Sequence, residues 1–185
     1  MGFSTTSNPL SISILLLITI LAATATATAT AFNLGKEKTT HLHFYFHDIV
    51  TGPDPTTVRV AAANSSDNSA TFFGAVVMID DPLTAGPDIR SKLIGRAEGL
   101  YGFASKEEVA LGMAFNFVFL EGEFEGSTLA VLGRNPVLKS PREMAVVGGT
   151  GAFRFARGFT RAKTYSFDLV SGNAVVEYDV FVVHY

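Results

Sequence analysis

The sequence contains no cysteine and no tryptophan. Without cysteine there can be no disulfide, no thiolate metal ligand and no cysteine nucleophile, so the fold rests on its apolar core. Charge is sparse too: 17% of residues are charged and the net charge is -3. A surface of that kind offers no basic stripe to a phosphate backbone, which argues against a nucleic-acid partner and for a neutral or weakly charged ligand. Long apolar runs are also missing. The most extended, LSISILLLITILAA from Leu10 to Ala23, falls short of the roughly 20 residues that a membrane-spanning helix needs. Followed by an Ala-Thr tract and the small-x-small pattern Ala29-Thr30-Ala31, it reads as a secretory signal cut before Phe32, although no Lys or Arg precedes it. A signal anchor is the alternative. The expected organisation is a signal peptide at 1–31 and one domain at 32–185, secreted and free of the membrane after cleavage. Oxidising surroundings permit disulfides without requiring them.

Phenylalanine is abundant, with sixteen Phe beside five Tyr in 185 residues. Stretches rich in β-branched and aromatic residues recur from HLHFYFHDIV through FFGAVVMID and VALGMAFNFVFL to NAVVEYDVFVVHY. Gly, Pro, Asn and Asp clusters such as TGPDP, EGEFEG and SGN punctuate them. The pattern predicts eight or nine short-looped strands and hence an all-β antiparallel barrel, with a sandwich as the alternative. Helix is minor; only SKEEVAL at 105–111 looks like a capping box, and it merges into a strand. GGTG at 148–151 invites comparison with a phosphate loop, but the residues after it, AFRFARGFTRAKTYSF, have phenylalanines at two-residue spacing and no helical stripe, so it reads as a turn. Asn64-Ser65-Ser66 is a glycosylation sequon in a polar loop.

Strand alternation places the ionisable groups. Leu42, Phe44, Phe46 and Asp48 share one row, and His41, His43, Tyr45 and His47 the other. Asp48 thus either continues an inward apolar row, where desolvation would raise its pKa, or simply ends the strand. The histidines resemble the start of a metal site, but the sequence supplies no downstream ligands, so no metal and no cofactor are expected. Gly95, Ala97 and Gly99 form a small-residue row ending at Tyr101. It would leave room for a flat ligand, or else pack closely against Phe115 and Phe117. Arg142 shares a row with Met144 and Val146 and either reaches inward or sits exposed at a strand end. No Ser/His/Asp arrangement is legible, which disfavours a hydrolase.

Taken in order, HFYFHDIVTGP, FGAVVMIDDPLTAGPD, SKLIGRAEGLY, REMAVVGGTGAFRFARGF and VVEYDVFVVHY resemble segments of the plant dirigent family across nearly the whole mature chain. The resemblance implies an eight-stranded antiparallel barrel of the allene oxide cyclase type, a homotrimer, and secretion to the apoplast. It implies stereoselective coupling of phenoxy radicals that a separate laccase or peroxidase supplies, the barrel itself carrying no oxidative centre. Asp48, Tyr101 and Arg142 match the family's pocket residues, with Asn135, Phe46 and Tyr178 expected to contact the ligand. There are two departures: the lignan-forming members carry an aspartate where this chain has Asn135 in GRNP, and a cysteine pair that is absent here. GRNP looks more like a branch whose members dehydrate an isoflavanol to a pterocarpan through a quinone methide. Coupling ranks first as the family's commonest role, with dehydration second and a non-catalytic carrier of aromatic precursors third.

Overall fold

A computed structural model describes residues 34–185; the expected signal segment lies outside the described residues. Lys36–Tyr185 form one compact unit. Its nine strands are β1 (Lys38–Asp48), β2 (Thr57–Ala61), β3 (Val76–Thr84), β4 (Leu93–Phe103), β5 (Ala110–Phe119), β6 (Thr128–Pro136), β7 (Arg142–Thr150), β8 (Arg157–Phe167) and β9 (Ala174–His184). The only helical turns among the described residues are two 3-10 pieces, Gly122–Phe124 and Gly151–Phe153. The sheet runs β1-β9-β8-β7-β6-β5-β4-β3 with antiparallel neighbours. It closes where Tyr45 and Phe46 of β1 meet Thr84 and Leu83 of β3. This is the expected eight-stranded antiparallel barrel. The ninth strand, β2, takes the part of the β3 edge that β1 leaves free, with Thr57 opposite Ile79.

The interior is the product of period-two patterning. Phe44, Phe115, Phe117, Leu129, Val131, Val180 and Val182 are all buried, as their alternation requires. Their rings pack edge-on: Phe44 to Phe117 at 4.8 Å and Phe117 to Tyr178 at 5.4 Å between centroids. At the lower end, where β1 begins, the two 3-10 turns bring Phe124 and Phe153 together at 4.6 Å and cap the core. The upper end, where β1 finishes, is where the polar residues gather.

The small-residue row of β4 settles one open choice. A Cβ on Gly95 would lie 2.3 Å from the Val118 carbonyl, and one on Gly99 2.6 Å from the Phe115 Cα. These glycines therefore admit the close approach of β5, and the space beside them is filled by protein backbone rather than left for a ligand. GGTG likewise forms the end of β7 and enters the 3-10 turn through Gly151, whose φ is +61°. At Ser105 the hydroxyl accepts from the Glu107 and Glu108 N–H groups as a cap would, yet β5 begins at Ala110 and no helix forms.

Candidate functional site

Asp48 is the last residue of β1 and continues the inward row of Phe44 and Phe46, as one of the two sequence readings holds. Burial raises its carboxyl above the usual range, while Thr57 and Tyr101 hold it down. Tyr101 is itself buried and presents its phenol to Asp48; burial and the two nearby carboxylates keep that phenol protonated.

A second carboxylate, Asp81, stands beside this pair and is fully buried. Sequence reasoning missed it, although Val77, Ile79, Asp81 and Leu83 form a clean alternating row inside VVMIDDPLT. Its neighbour Asp80 points outward to Arg96. The bridge between the carboxylates is Thr57, whose Oγ1 lies 2.6 Å from Asp48 Oδ1 and 3.1 Å from Asp81 Oδ1. Thr56 also donates to Asp81 Oδ1. Thr57 has a single hydroxyl proton, and the shorter bond places it on Asp48. With a proton on Asp81 the second contact can reverse, the carboxyl donating to the Thr57 oxygen, which removes the competition for that single hydrogen. Electrostatics agree: burial first, and then the charge of Asp48, push Asp81 up to about 8. Like charges this close cannot both ionise without cost, which favours a proton on Asp81 at neutral pH. Thr57 is in place because the 49–56 turn closes on itself, with Thr56 and Thr57 N–H groups both donating to the Ile49 carbonyl. No local sequence pattern announces that geometry.

Arg142 opens β7 and is buried, which resolves its reading in favour of the inward one. Burial lowers its pKa, yet a guanidinium stays charged in a protein. Its Nη1 donates to the Lys139 carbonyl at 3.2 Å and to Thr164 Oγ1 at 3.0 Å. Asn135 is buried near the end of β6, with its amide nitrogen 3.8 Å from Met113 Sδ. Tyr178 and Phe46 are buried beside one another at 5.8 Å between ring centroids. In ring order β3, β1 and β4 carry the two carboxylates and Tyr101, whereas β6 and β7 carry Asn135 and Arg142 on the opposite side. The six pocket candidates Asp48, Tyr101, Arg142, Asn135, Phe46 and Tyr178 thus belong to the upper half of one barrel.

The outward histidines divide. His41 and His43 are exposed on β1, but carboxylates do accompany them: His41 Nε2 lies 2.7 Å and His43 Nδ1 3.2 Å from Asp179 Oδ1 on β9. The sequence offered no partner because the pairing of β1 with β9 spans the whole domain. No cluster of three or more metal-ligating side chains is present among the described residues. His47 is buried, with Nε2 2.7 Å from Thr84 Oγ1; that hydroxyl donates to the Gly86 carbonyl, so the imidazole is the donor to Thr84. Asn64 is exposed in a turn.

Comparison with known proteins places this geometry. A family model described as dirigent-like protein matches residues 39–183. The chain is 56% identical over 142 residues to pterocarpan synthase 1 of Glycyrrhiza echinata, covering 76% of each chain. It is 54% identical over 140 residues to dirigent protein 21 of Arabidopsis thaliana, covering 76% of this chain and 74% of the other. The solved structure of a pterocarpan synthase dirigent protein superposes with a TM-score of 0.77 at 56% identity, covering 83% of this chain and 89% of that one. With the match running from the first strand to the last, the chain belongs to the dirigent family.

Proposed function

We propose that this protein is a dehydratase that expels water from an isoflavanol-type phenol and closes the product through a quinone methide. The observation that carries the reading is the pair Asp48 and Asp81, bridged by Thr57 beside Tyr101, with Asp81 pushed up to about 8. Departure of a hydroxyl needs a proton donor that is still loaded at neutral pH, and a carboxyl raised by burial and a like charge is one. Steering two radicals makes no such demand. The similarity to pterocarpan synthases supports the same ordering, reversing the rank that the family's commonest role suggested.

In this reading Asp48, the less buried carboxyl, hands to the leaving hydroxyl the proton that Thr57 relays from Asp81; the C–O bond breaks and water departs. The phenol on the same ring releases its proton and becomes the carbonyl of the quinone methide. A second phenol oxygen then adds to the exocyclic carbon and loses its proton, the carbonyl oxygen is reprotonated, and one proton returns to the Asp48–Thr57–Asp81 set. Net, one water is lost. Tyr101 and Arg142 stabilise charge as it develops. Incubating purified protein with an isoflavanol and no oxidant tests this: a cyclised product is expected, and Asp48→Ala should abolish it. Coniferyl alcohol with a separate one-electron oxidant tests the coupling alternative, which predicts enantiomeric enrichment over an oxidant-only control.

The outer surface supports self-association, the trimer being the assembly that the family resemblance implies. Met78, Leu100, Ala114, Leu132, Ala145 and Phe159 follow one another across the ladders as an uncharged belt. A groove of about 460 Å³ bounded by Gly112, Ala114 and Leu132 lies on it. Light scattering should give a multiple of the single-chain mass, reduced by Leu132→Lys. Secretion to the apoplast and a glycan on Asn64 complete the reading, and expression in plant cells with glycosidase treatment tests both.

A further inference from the structure

Opposite the carboxyl pair, three side chains each bury a polar atom that has no partner among the described residues: Arg142 Nε, Asn135 Oδ1 and Thr160 Oγ1. All three residues are at least nine-tenths buried, at 3%, 6% and 0% exposure. Folded interiors pair such atoms nearly always, so bare ones in a cluster point to something that arrives later: an incoming oxygen can serve the Arg142 Nε–H and the Thr160 hydroxyl, while Asn135 Oδ1, an acceptor, needs a donor from elsewhere on the ligand. Their placement is coherent. The β6–β7 ladder runs to Leu132 opposite Ala145, and a Cβ on Gly133 would sit 3.0 Å from Met144 Cβ. Continuing that register sets Asn135 opposite Arg142, while Thr160 stands opposite Met144 on the other flank.

The electrostatics of Arg142 are unusual for a buried cation. Its Nη1 contacts are the carbonyls of Val137 and Lys139 and the hydroxyl of Thr164, all neutral. None of the ion pairs among the described residues includes it. The groups that face it are Thr164 from β8, Tyr178 from β9, Asn135 from β6 and the Lys139 backbone, whose ammonium is turned to Glu108 at 3.3 Å. A buried charge in a neutral shell is under-compensated, and a guanidinium cannot escape by losing its proton.

We propose that Asn135 determines the ligand class: being neutral, it leaves Arg142 free to hold an anionic oxygen of the ligand, so that the site takes a phenol preferentially as its phenolate. This rests on the reading that the upper half of the barrel takes the substrate. It also deepens that reading, because it assigns the substrate an orientation. The ionising phenol oxygen lies at Arg142 and the leaving hydroxyl at Asp48, on opposite sides of the barrel, so electrons pushed from one end leave with the water at the other.

The test is a pH titration of 4-nitrophenol, whose phenolate absorbs separately from the phenol, with and without saturating full-length protein. The bound probe should ionise at least one pH unit lower than the free probe, which is a tenfold preference for the anion, and 4-nitroanisole should bind at least tenfold more weakly than the phenolate. Asn135→Asp should abolish the shift by supplying the negative charge internally, whereas Asn135→Leu, equally uncharged, should retain it. If the aspartate variant does not fold, Arg142→Met takes its place, with loss of the shift expected. Retention of the shift in Asp48→Asn would place its origin at the Arg142 end. Absence of binding, an unshifted bound probe, a shift that survives Asn135→Asp or Arg142→Met, or a shift lost in Asn135→Leu would each overturn the proposal. The probe carries no leaving hydroxyl, so failure of dehydration in the turnover assay leaves this result standing on its own.

Discussion

At the scale of single residues, the proposed dehydration turns on the proton that Asp81 holds. Asp48→Asn removes the proposed proton donor to the leaving oxygen and should lower kcat by about 100-fold or more, the range that general acid catalysis contributes. Asp81→Asn leaves Asp48 in place but takes away the reserve proton. It should cut kcat by about tenfold with KM little changed. The wild-type rate should also decline as pH rises towards about 8, where the pair loses its last proton, and the position of that limb should move in Asp81→Asn. Thr57→Val, which removes the bridge while keeping the shape, should resemble Asp81→Asn rather than Asp48→Asn. Stopped-time assays from mildly acidic to mildly basic pH would separate the three.

Among the elements, glycines positioned by strand contact carry more of the fold than glycines in turns. A Cβ on Gly158 would meet the Phe181 carbonyl at 1.9 Å, a clash with backbone that cannot rotate away. Gly158→Ala should cost about 3 kcal/mol, the upper range for an overpacked site. Gly122 has φ +79° and open space around it, so Gly122→Ala should cost only about 1 kcal/mol in backbone strain. Denaturant midpoints decide between these. The contrast also explains what was legible. Alternation revealed the strands and put Asp48, Phe46 and Arg142 on rows that the structure turns inward, because each depends only on neighbours two residues away. Ring closure through β1 and β3, the exclusion of β2 from the ring and the Asp48–Thr57–Asp81 bridge depend on contacts between strands distant in sequence, on which local spacing is silent. The choice between open space and close packing beside Gly95 and Gly99 stayed open in the sequence for a related reason: a missing side chain tells how much space is opened, not which strand fills it.

For the whole molecule, the same carboxyl pair ties stability to pH. The folded state keeps a proton on Asp81 up to about pH 8, whereas the unfolded chain releases it near the ordinary aspartate value of 3.8. Unfolding between those limits therefore releases a proton, and stability falls as pH rises through the window, by at most roughly 1.4 kcal/mol per pH unit for one proton. Asp48, raised in the same sense, adds to the slope. Urea unfolding compared near the two ends of that window should show the loss, and Asp81→Asn should flatten it. The ladder that joins the first strand to the last has a consequence of another kind. Lys38 is paired with His184, so the two ends of the barrel chain lie side by side, and every other neighbour in the run from β3 to β9 is also consecutive in sequence. Topologically the domain is close to an endless band. A short linker from Tyr185 to Lys36, with new termini opened between the exposed Leu169 and Val170, would preserve all the strand pairings, and such a circular permutant should fold to the same barrel.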